Sequence, residues 1–244
     1  MDDEQGNDVV GQCWKDLADV MAAGVSRVLL YGPPGTGKTF AALHHGVRTT
    51  PAERLVCTED LTTGEITGTW MPVDEGRWRW YEGPAIRAWG AQGGRGGRLV
   101  VDEVDRAAGD ALSTLLAVTD TDGSARWRHP ETGEWVTPGH GFSVVMTTNL
   151  EELEDLPGAL RDRFAIAIRV DRPHPSAVAA LSEDLRRPAL CGSIGDPARR
   201  VSLRAFYAFD RLRERCGPQR AAHLVFGDER GAGVLDALAI ASLA

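Results

Sequence analysis

The octapeptide Gly32-Pro33-Pro34-Gly35-Thr36-Gly37-Lys38-Thr39 leaves this chain few folds to choose from. It follows at once on the apolar run Arg27-Val28-Leu29-Leu30-Tyr31, which reads as a buried strand, and precedes Phe40 to Val47, which reads as a helix. Glycine, four residues, then Gly-Lys-Thr between a strand and a helix is a spacing with a mechanism. The glycines let successive backbone N–H groups curl around an anion, which makes Pro34, Gly35, Thr36 and Gly37 candidate contacts, and the helix start adds its positive end. Lys38 can neutralise β- and γ-phosphates, and the Thr39 hydroxyl suits Mg²⁺. The plain alternative is a glycine-rich turn with an exposed lysine, which the strand–loop–helix context argues against. Lys15 and Lys38 are the only lysines, so Lys38 stands out in a chain whose other positive charges are arginines.

Further short apolar runs read as strands at Arg54 to Cys57, Arg98 to Val101, Phe142 to Met146 and Phe164 to Ile168, with helices expected around Pro84 to Ala91 and Asp110 to Val118. Strands alternating with helices predict an α/β fold with a five-stranded parallel sheet sandwiched by helices, the P-loop NTPase architecture. The third strand ends in Asp102-Glu103. At the carboxyl edge of the sheet, Asp102 would hold Mg²⁺ through its waters and Glu103 would polarise an attacking water; capping of the next turn is the alternative. The fourth strand runs into Thr147-Thr148-Asn149 and should lie beside the first and third, which makes Asn149 a candidate for the γ-phosphate.

Two insertions, about 67–83 and 126–138, interrupt the alternation. The first carries Trp70, Trp78, Trp80 and Tyr81; the second reads as a hairpin turning at Pro130-Glu131-Thr132-Gly133. Beyond Val170 only helices are expected, at about 176–187, 203–215, 219–226 and 234–243. This divides the chain into an α/β domain, 1–171, and a small all-helical lid, 172–244.

A net charge of −8 argues against a chain that coats nucleic acid by bulk electrostatics. No stretch approaches the roughly 18 apolar residues of a membrane span, and the acidic start is unlike a signal peptide, so a cytoplasmic protein is expected. Four scattered cysteines with no paired spacing suggest reduced thiols, not a disulfide framework or zinc site.

With these features in place the sequence resembles the AAA+ ATPases of the MoxR and dynein-related branch, across essentially the whole chain. Val9-Val10-Gly11-Gln12 is similar to the entry segment that lines the adenine pocket, which assigns nucleotide contacts to Val10 and Gly11. Gly32 to Thr39 resembles Walker A, Leu99 to Glu103 Walker B, and Asn149 sensor 1. Leu160-Arg161-Asp162-Arg163-Phe164 resembles the arginine-finger box; this points to Arg163, with Arg161 close enough to share or take the role. Val201-Ser202-Leu203-Arg204-Ala205 is similar to the start of the lid helix with the sensor 2 arginine, Arg204, an ordinary surface arginine being the alternative. Asp105-Arg106 departs from the asparagine–arginine of many relatives and leaves position 105 without a fixed role. No added amino-terminal domain, second ATPase module or long carboxyl-terminal extension is expected, so substrate choice would fall to the insertions or a partner.

The resemblance implies ATP and Mg²⁺ as cofactors, a homo-oligomeric ring, a hexamer in the family, and remodelling or activation of a protein complex, with a von Willebrand A-type protein as partner. The rival is a nucleic-acid motor similar to the restriction translocase McrB or the replicative helicases, with Arg126, Trp127, Arg128 and His129 touching a strand. Cross-strand packing is the favoured reading of that hairpin. Trp70, Trp78 and Trp80 read equally as pore grips or as packing of the insertion.

Overall fold

The computed structural model describes residues 11–46, 52–90, 94–121, 123–193 and 200–241. Within them the elements are, in order, α1 (Gln12–Ala22), β1 (Arg27–Tyr31), α2 (Lys38–His44), β2 (Glu53–Val56), α3 (Thr63–Thr67), β3 (Gly68–Pro72), β4 (Trp78–Glu82), α4 (Pro84–Trp89), β5 (Arg98–Asp102), α5 (Gly109–Val118), β6 (Trp127–Arg128), β7 (Trp135–Val136), β8 (Ser143–Thr147), α6 (Gly158–Arg163), β9 (Ile166–Arg169), α7 (Pro175–Ala179), α8 (Glu183–Gly192), α9 (Leu203–Cys216) and α10 (Pro218–Ala241). The chain divides into two compact units. One is Asp16–Gly32 with Thr39–Arg169; the other contains residues 11–15, Pro33–Lys38 and everything described from Val170 onward.

The first unit is built on a five-stranded sheet in the order β2-β5-β8-β1-β9, with every pairing parallel. Parallel strands with helices between them must be apolar on both faces, and β5 and β8 are: Leu99, Val100, Val101, Val144, Val145 and Met146 are all buried. One core cluster gathers Leu29, Leu99, Val101 and Met146 from the sheet with Ile86 and Trp89 of α4 and Leu115 of α5. Trp89 anchors it, fully buried with its indole N–H donated to the Val118 carbonyl at 3.1 Å. Truncating such a ring to alanine costs about 3–5 kcal/mol. Arg98, buried in β5, donates to the Ala42 carbonyl at 3.0 Å and to the His45 carbonyl, which satisfies backbone acceptors at the end of α2.

As expected, the fourth sheet strand in sequence (β8) lies between the first (β1) and third (β5). Leu30 registers with Thr147, and Val101 with Met146. The chain segments leaving β1, β5 and β8 therefore emerge side by side at one edge.

Both insertions are hairpins. β3 pairs with β4 and places Trp70 opposite Trp80; β6 pairs with β7 and places Trp127 opposite Val136. Trp80 stacks edge-on to Trp70 and tilted against Trp127, each at 5.7 Å, so the two hairpins share an aromatic cluster. Trp78 and Trp135 stay outside it, 61% and 63% exposed, and Arg126 lies over the Trp135 ring at 5.3 Å.

In the second unit, Leu181, Leu185, Leu203, Phe206, Phe209 and Ala221 form a separate core. The helix expected at 176–187 is two, α7 and α8, broken around Ala180–Ser182. The two helices expected at 219–226 and 234–243 run as α10, which is helical on both sides of a kink at Gly227 (φ 75°, ψ −178°). Among the described residues no helix is long and apolar enough to cross a membrane.

Candidate functional site

In the second unit the loop after β1 is shaped by backbone sign. Gly35 and Gly37 have φ of +80° and +99°, a region open to glycine and strained for side chains. A Cβ on Gly35 would come within 2.8 Å of the Ser202 Cβ, and one on Gly37 within 3.1 Å of the His174 Cβ. Ser202 in turn caps α9, accepting from the Ala205 N–H at 3.4 Å, and His174 N–H donates to the Thr36 carbonyl at 2.9 Å. The loop is thus seated against the starts of α7 and α9. Arg204, in the first turn of α9, is exposed two residues after Ser202.

Lys38 is only 5% exposed, and its ammonium donates to the Pro33 carbonyl at 2.7 Å across the loop. Thr36, also buried, donates to the same carbonyl at 3.2 Å. A buried ammonium enclosed by a glycine loop is a fitting arrangement for phosphate oxygens, which exchange one acceptor for several charged ones. Pro34 is an exposed residue of this loop. Gly11 packs on Arg172, a Cβ there lying 3.0 Å from Arg172 Cδ, while Trp14 donates to the Arg172 and Pro173 carbonyls and meets the His174 ring edge-on at 4.7 Å. Val10 lies outside the described residues.

In the first unit the carboxylates stand at the end of β5. Asp102 is buried; its Oδ1 accepts from Thr39 Oγ1 at 2.8 Å and from Thr147 Oγ1, and its Oδ2 from Arg54. Burial alone would raise its pKa. The hydrogen bonds from Thr147, Arg54 and Thr39, with the Arg54 charge, outweigh that and hold it below the ordinary carboxylate value. Asp102 is therefore ionised at neutral pH, and protonating it requires pH below its already lowered pKa. A threonine hydroxyl 2.8 Å from an ionised carboxylate oxygen is a hard-oxygen pair that suits Mg²⁺. Among the described residues no cluster of three or more His, Cys, Asp or Glu could hold a metal. A Mg²⁺ ion here would complete its shell with phosphate oxygens and waters, its usual mode.

Glu103 adopts a left-handed conformation, φ 56°, the one positive φ at a non-glycine residue among those described. That backbone ends the strand and turns the chain into a 3-10 turn, Val104–Arg106, from which Arg106 returns to pair with the Glu103 carboxylate at 2.8 Å. Asn149 is exposed just past β8. Position 105, without a role in the sequence reading, has a partner: Thr148 donates to the Asp105 carboxylate at 2.6 Å.

At the end of the unit, Arg163 pairs with Asp120 at 3.3 Å and its Nε is buried without a partner. Arg161, on α6, is exposed and makes no ion pair among the described residues. Sequence reasoning missed Arg54, Thr147 and Ser202. Nothing in the sequence marked these roles, since each residue acts on a partner far away along the chain.

A parallel sheet in this order, with a glycine–lysine loop after one strand and an Asp-Glu pair ending another, defines a P-loop nucleoside triphosphatase. The model of the AAA domain, dynein-related subfamily, matches residues 27–164, more than half of the chain, and the protein belongs to that family. Nucleotide binding and ATP hydrolysis are what that family implies. Among solved structures, an ATPase candidate of Cytophaga hutchinsonii is similar with TM-score 0.44 and 25% identity, over 67% of this chain and 47% of that one. The chain thus spans about half the length of that protein. NtrX of Brucella abortus is similar with TM-score 0.51 and 18% identity, over 93% of this chain and 67% of that one, a likeness of fold alone. No curated protein sequence matches the chain.

Proposed function

We propose that the protein is a Mg-ATP-dependent, ring-forming ATPase that remodels or activates a protein complex. The observation that carries the nucleotide chemistry is the bond from Thr39, the residue after Lys38, to Asp102, because it joins the P-loop sequence to an ionised, donor-saturated carboxylate. On this reading the N–H groups from Pro34's neighbours through Thr39 and the Lys38 ammonium hold the phosphates, with Gly11 and Val10 beside the base. Thr39 and Asp102 hold Mg²⁺, which when bound offsets phosphate charge. Glu103, released from Arg106, orients and polarises the water, and Asn149 contacts the γ-phosphate. By family likeness Arg204 is assigned a γ-phosphate contact and the helices from 172 onward the role of a lid.

A finger supplied to a neighbouring subunit must project into solvent. Arg163 is engaged within its own chain and Arg161 is exposed, so the geometry favours Arg161 as the residue acting in trans, with Arg163 supporting α6. A missing finger can cost on the order of 10³ to 10⁵ in rate, so an isolated subunit would turn over poorly and the working form would be a ring, as a hexamer by family likeness. A cytoplasmic location and a von Willebrand A-type partner belong to the same reading.

The rival, a nucleic-acid motor, draws on exposed Trp135 with Arg126 over its ring. Trp127, by contrast, is used in packing against Trp80, which supports the protein-remodelling reading. Equilibrium ATP binding and steady-state turnover test the core. Lys38→Ala is expected to lose binding, and Glu103→Gln to bind ATP with turnover nearly abolished. Turnover by Glu103→Gln at the wild-type rate would remove Glu103 from its role, and nucleic-acid-stimulated turnover lost in Arg126 and Arg128 variants would favour the rival.

A further inference from the structure

Two consecutive threonines at the end of β8 each latch a different carboxylate of the segment after β5. Thr147 donates to Asp102, and Thr148, buried, donates to Asp105 with Oγ1 to Oδ1 at 2.6 Å. The second latch extends further. Leu150 N–H donates to the same Thr148 oxygen at 3.1 Å, Gly32 N–H donates to the Leu150 carbonyl at 2.8 Å, and Thr148 N–H donates to the Leu30 carbonyl at 3.0 Å. Asp105, Thr148, Leu150, Leu30 and Gly32 therefore tie the exits of β5, β8 and β1 into one hydrogen-bonded clasp, and Asn149 is the residue in the middle of it.

The direction of the bonds matters. An ionised carboxylate only accepts, so the Thr148 proton is committed to Asp105 and a hydroxyl lone pair is left facing Leu150 N–H. An amide at 105 can keep that bond through its oxygen, whereas an alanine cannot.

We propose that Asp105 is a positioning residue: through Thr148 it sets the turn that carries Asn149, so that the γ-phosphate contact depends on the 3-10 turn immediately after Glu103 being formed. This rests on the reading of Asn149 as the γ-phosphate contact. Asp105 touches no reacting atom in this scheme; it governs where Asn149 stands in the transition state.

The test uses the assembled full chain with Mg-ATP, measuring kcat, KM, affinity for a non-hydrolysable ATP analogue and the thermal midpoint. Asp105→Ala and Thr148→Val should each lower kcat by about tenfold, with analogue affinity within about twofold of wild type. The double variant should be no slower than the slower single, because both singles already break the same Thr148–Asp105 bond. Asp105→Asn, which can still accept, should recover most of the loss. Thr148→Val is close to isosteric and carries the test if Asp105→Ala folds poorly. Losses that multiply in the double variant, affinity falling in step with kcat, or Asp105→Asn as slow as Asp105→Ala would overturn the proposal. Asn149→Ala turning over at the wild-type rate would instead remove the underlying reading, whereas a slow Asn149→Ala beside an unimpaired Thr148→Val would remove the clasp alone.

Discussion

Arg54, on edge strand β2, donates to Oδ2 of Asp102 at 2.5 Å, so the carboxylate suited to Mg²⁺ already carries a cation. The guanidinium is about half exposed while Asp102 is buried. Such a partner fixes the carboxylate and at the same time competes with any metal for its charge. The competition is weak, because a pair with one exposed member is worth about 0.2–1 kcal/mol.

Arg54→Gln should accordingly lower the Mg²⁺ concentration needed for half-maximal nucleotide binding, by about 1.4-fold to fivefold at 1.4 kcal/mol per decade. A Mg²⁺ titration of fluorescent-nucleotide binding reads this directly. A higher requirement in the variant would show that Arg54 orients Asp102 and does not compete.

Gly35→Ala should cost about 1–3 kcal/mol of stability, since φ is +80° and the new Cβ would lie 2.8 Å from that of Ser202. The same change should weaken nucleotide binding, because the loop can relieve the contact only by losing its curl. Denaturant unfolding with and without ATP measures both effects, and an unchanged midpoint would contradict the close approach.

In the helical unit Arg213 pairs with Asp184 and, at 2.8 Å, with Asp210. The Arg213 hydrogen bond is the chief reason that the Asp184 pKa is lowered. A lowered folded pKa gives stability that is present above the unfolded value, about 3.9, and lost as pH falls through the folded one. Asp184→Asn should therefore be less stable at pH 7 by no more than about 1 kcal/mol, given the partial exposure of the pair. That difference should shrink in unfolding curves as pH falls through the lowered folded pKa; a difference that does not shrink with acid would point to packing instead of charge.

The sheet was legible because its strands are buried on both faces and carry uninterrupted apolar runs such as Leu99-Val100-Val101 and Val144-Val145-Met146. The loop was legible because phosphate binding fixes its residue types at fixed spacing. Helix α1 was not expected although Trp14, Leu17 and Met21 recur at helical spacing, because that stripe is narrow and is interrupted by Lys15, Asp16 and Asp19. The first insertion was not recognised as a hairpin: β3 and β4 are mostly exposed, so neither shows the alternation of a half-buried strand. The partners of Asp102 and Asp105 were illegible for a different reason. Arg54, Thr147 and Thr148 act across strands far apart in sequence, and a threonine at a strand end looks the same whether or not its hydroxyl meets a carboxylate. Arg163 shows the limit most clearly, since only its proximity to Asp120 distinguishes it from Arg161.

The central claim, a site completed by a neighbouring subunit, is tested most directly by mixing two inactive proteins and measuring ATP turnover. Lys38→Ala should lose phosphate binding but keep Arg161, while Arg161→Ala should keep its nucleotide site but offer no finger. The account predicts that each alone is nearly inactive and that mixtures recover a substantial part of the wild-type rate, greatest near equal proportions. A mixture no more active than its components at every ratio, or wild-type protein whose specific activity is unchanged by dilution to the monomer, would contradict it.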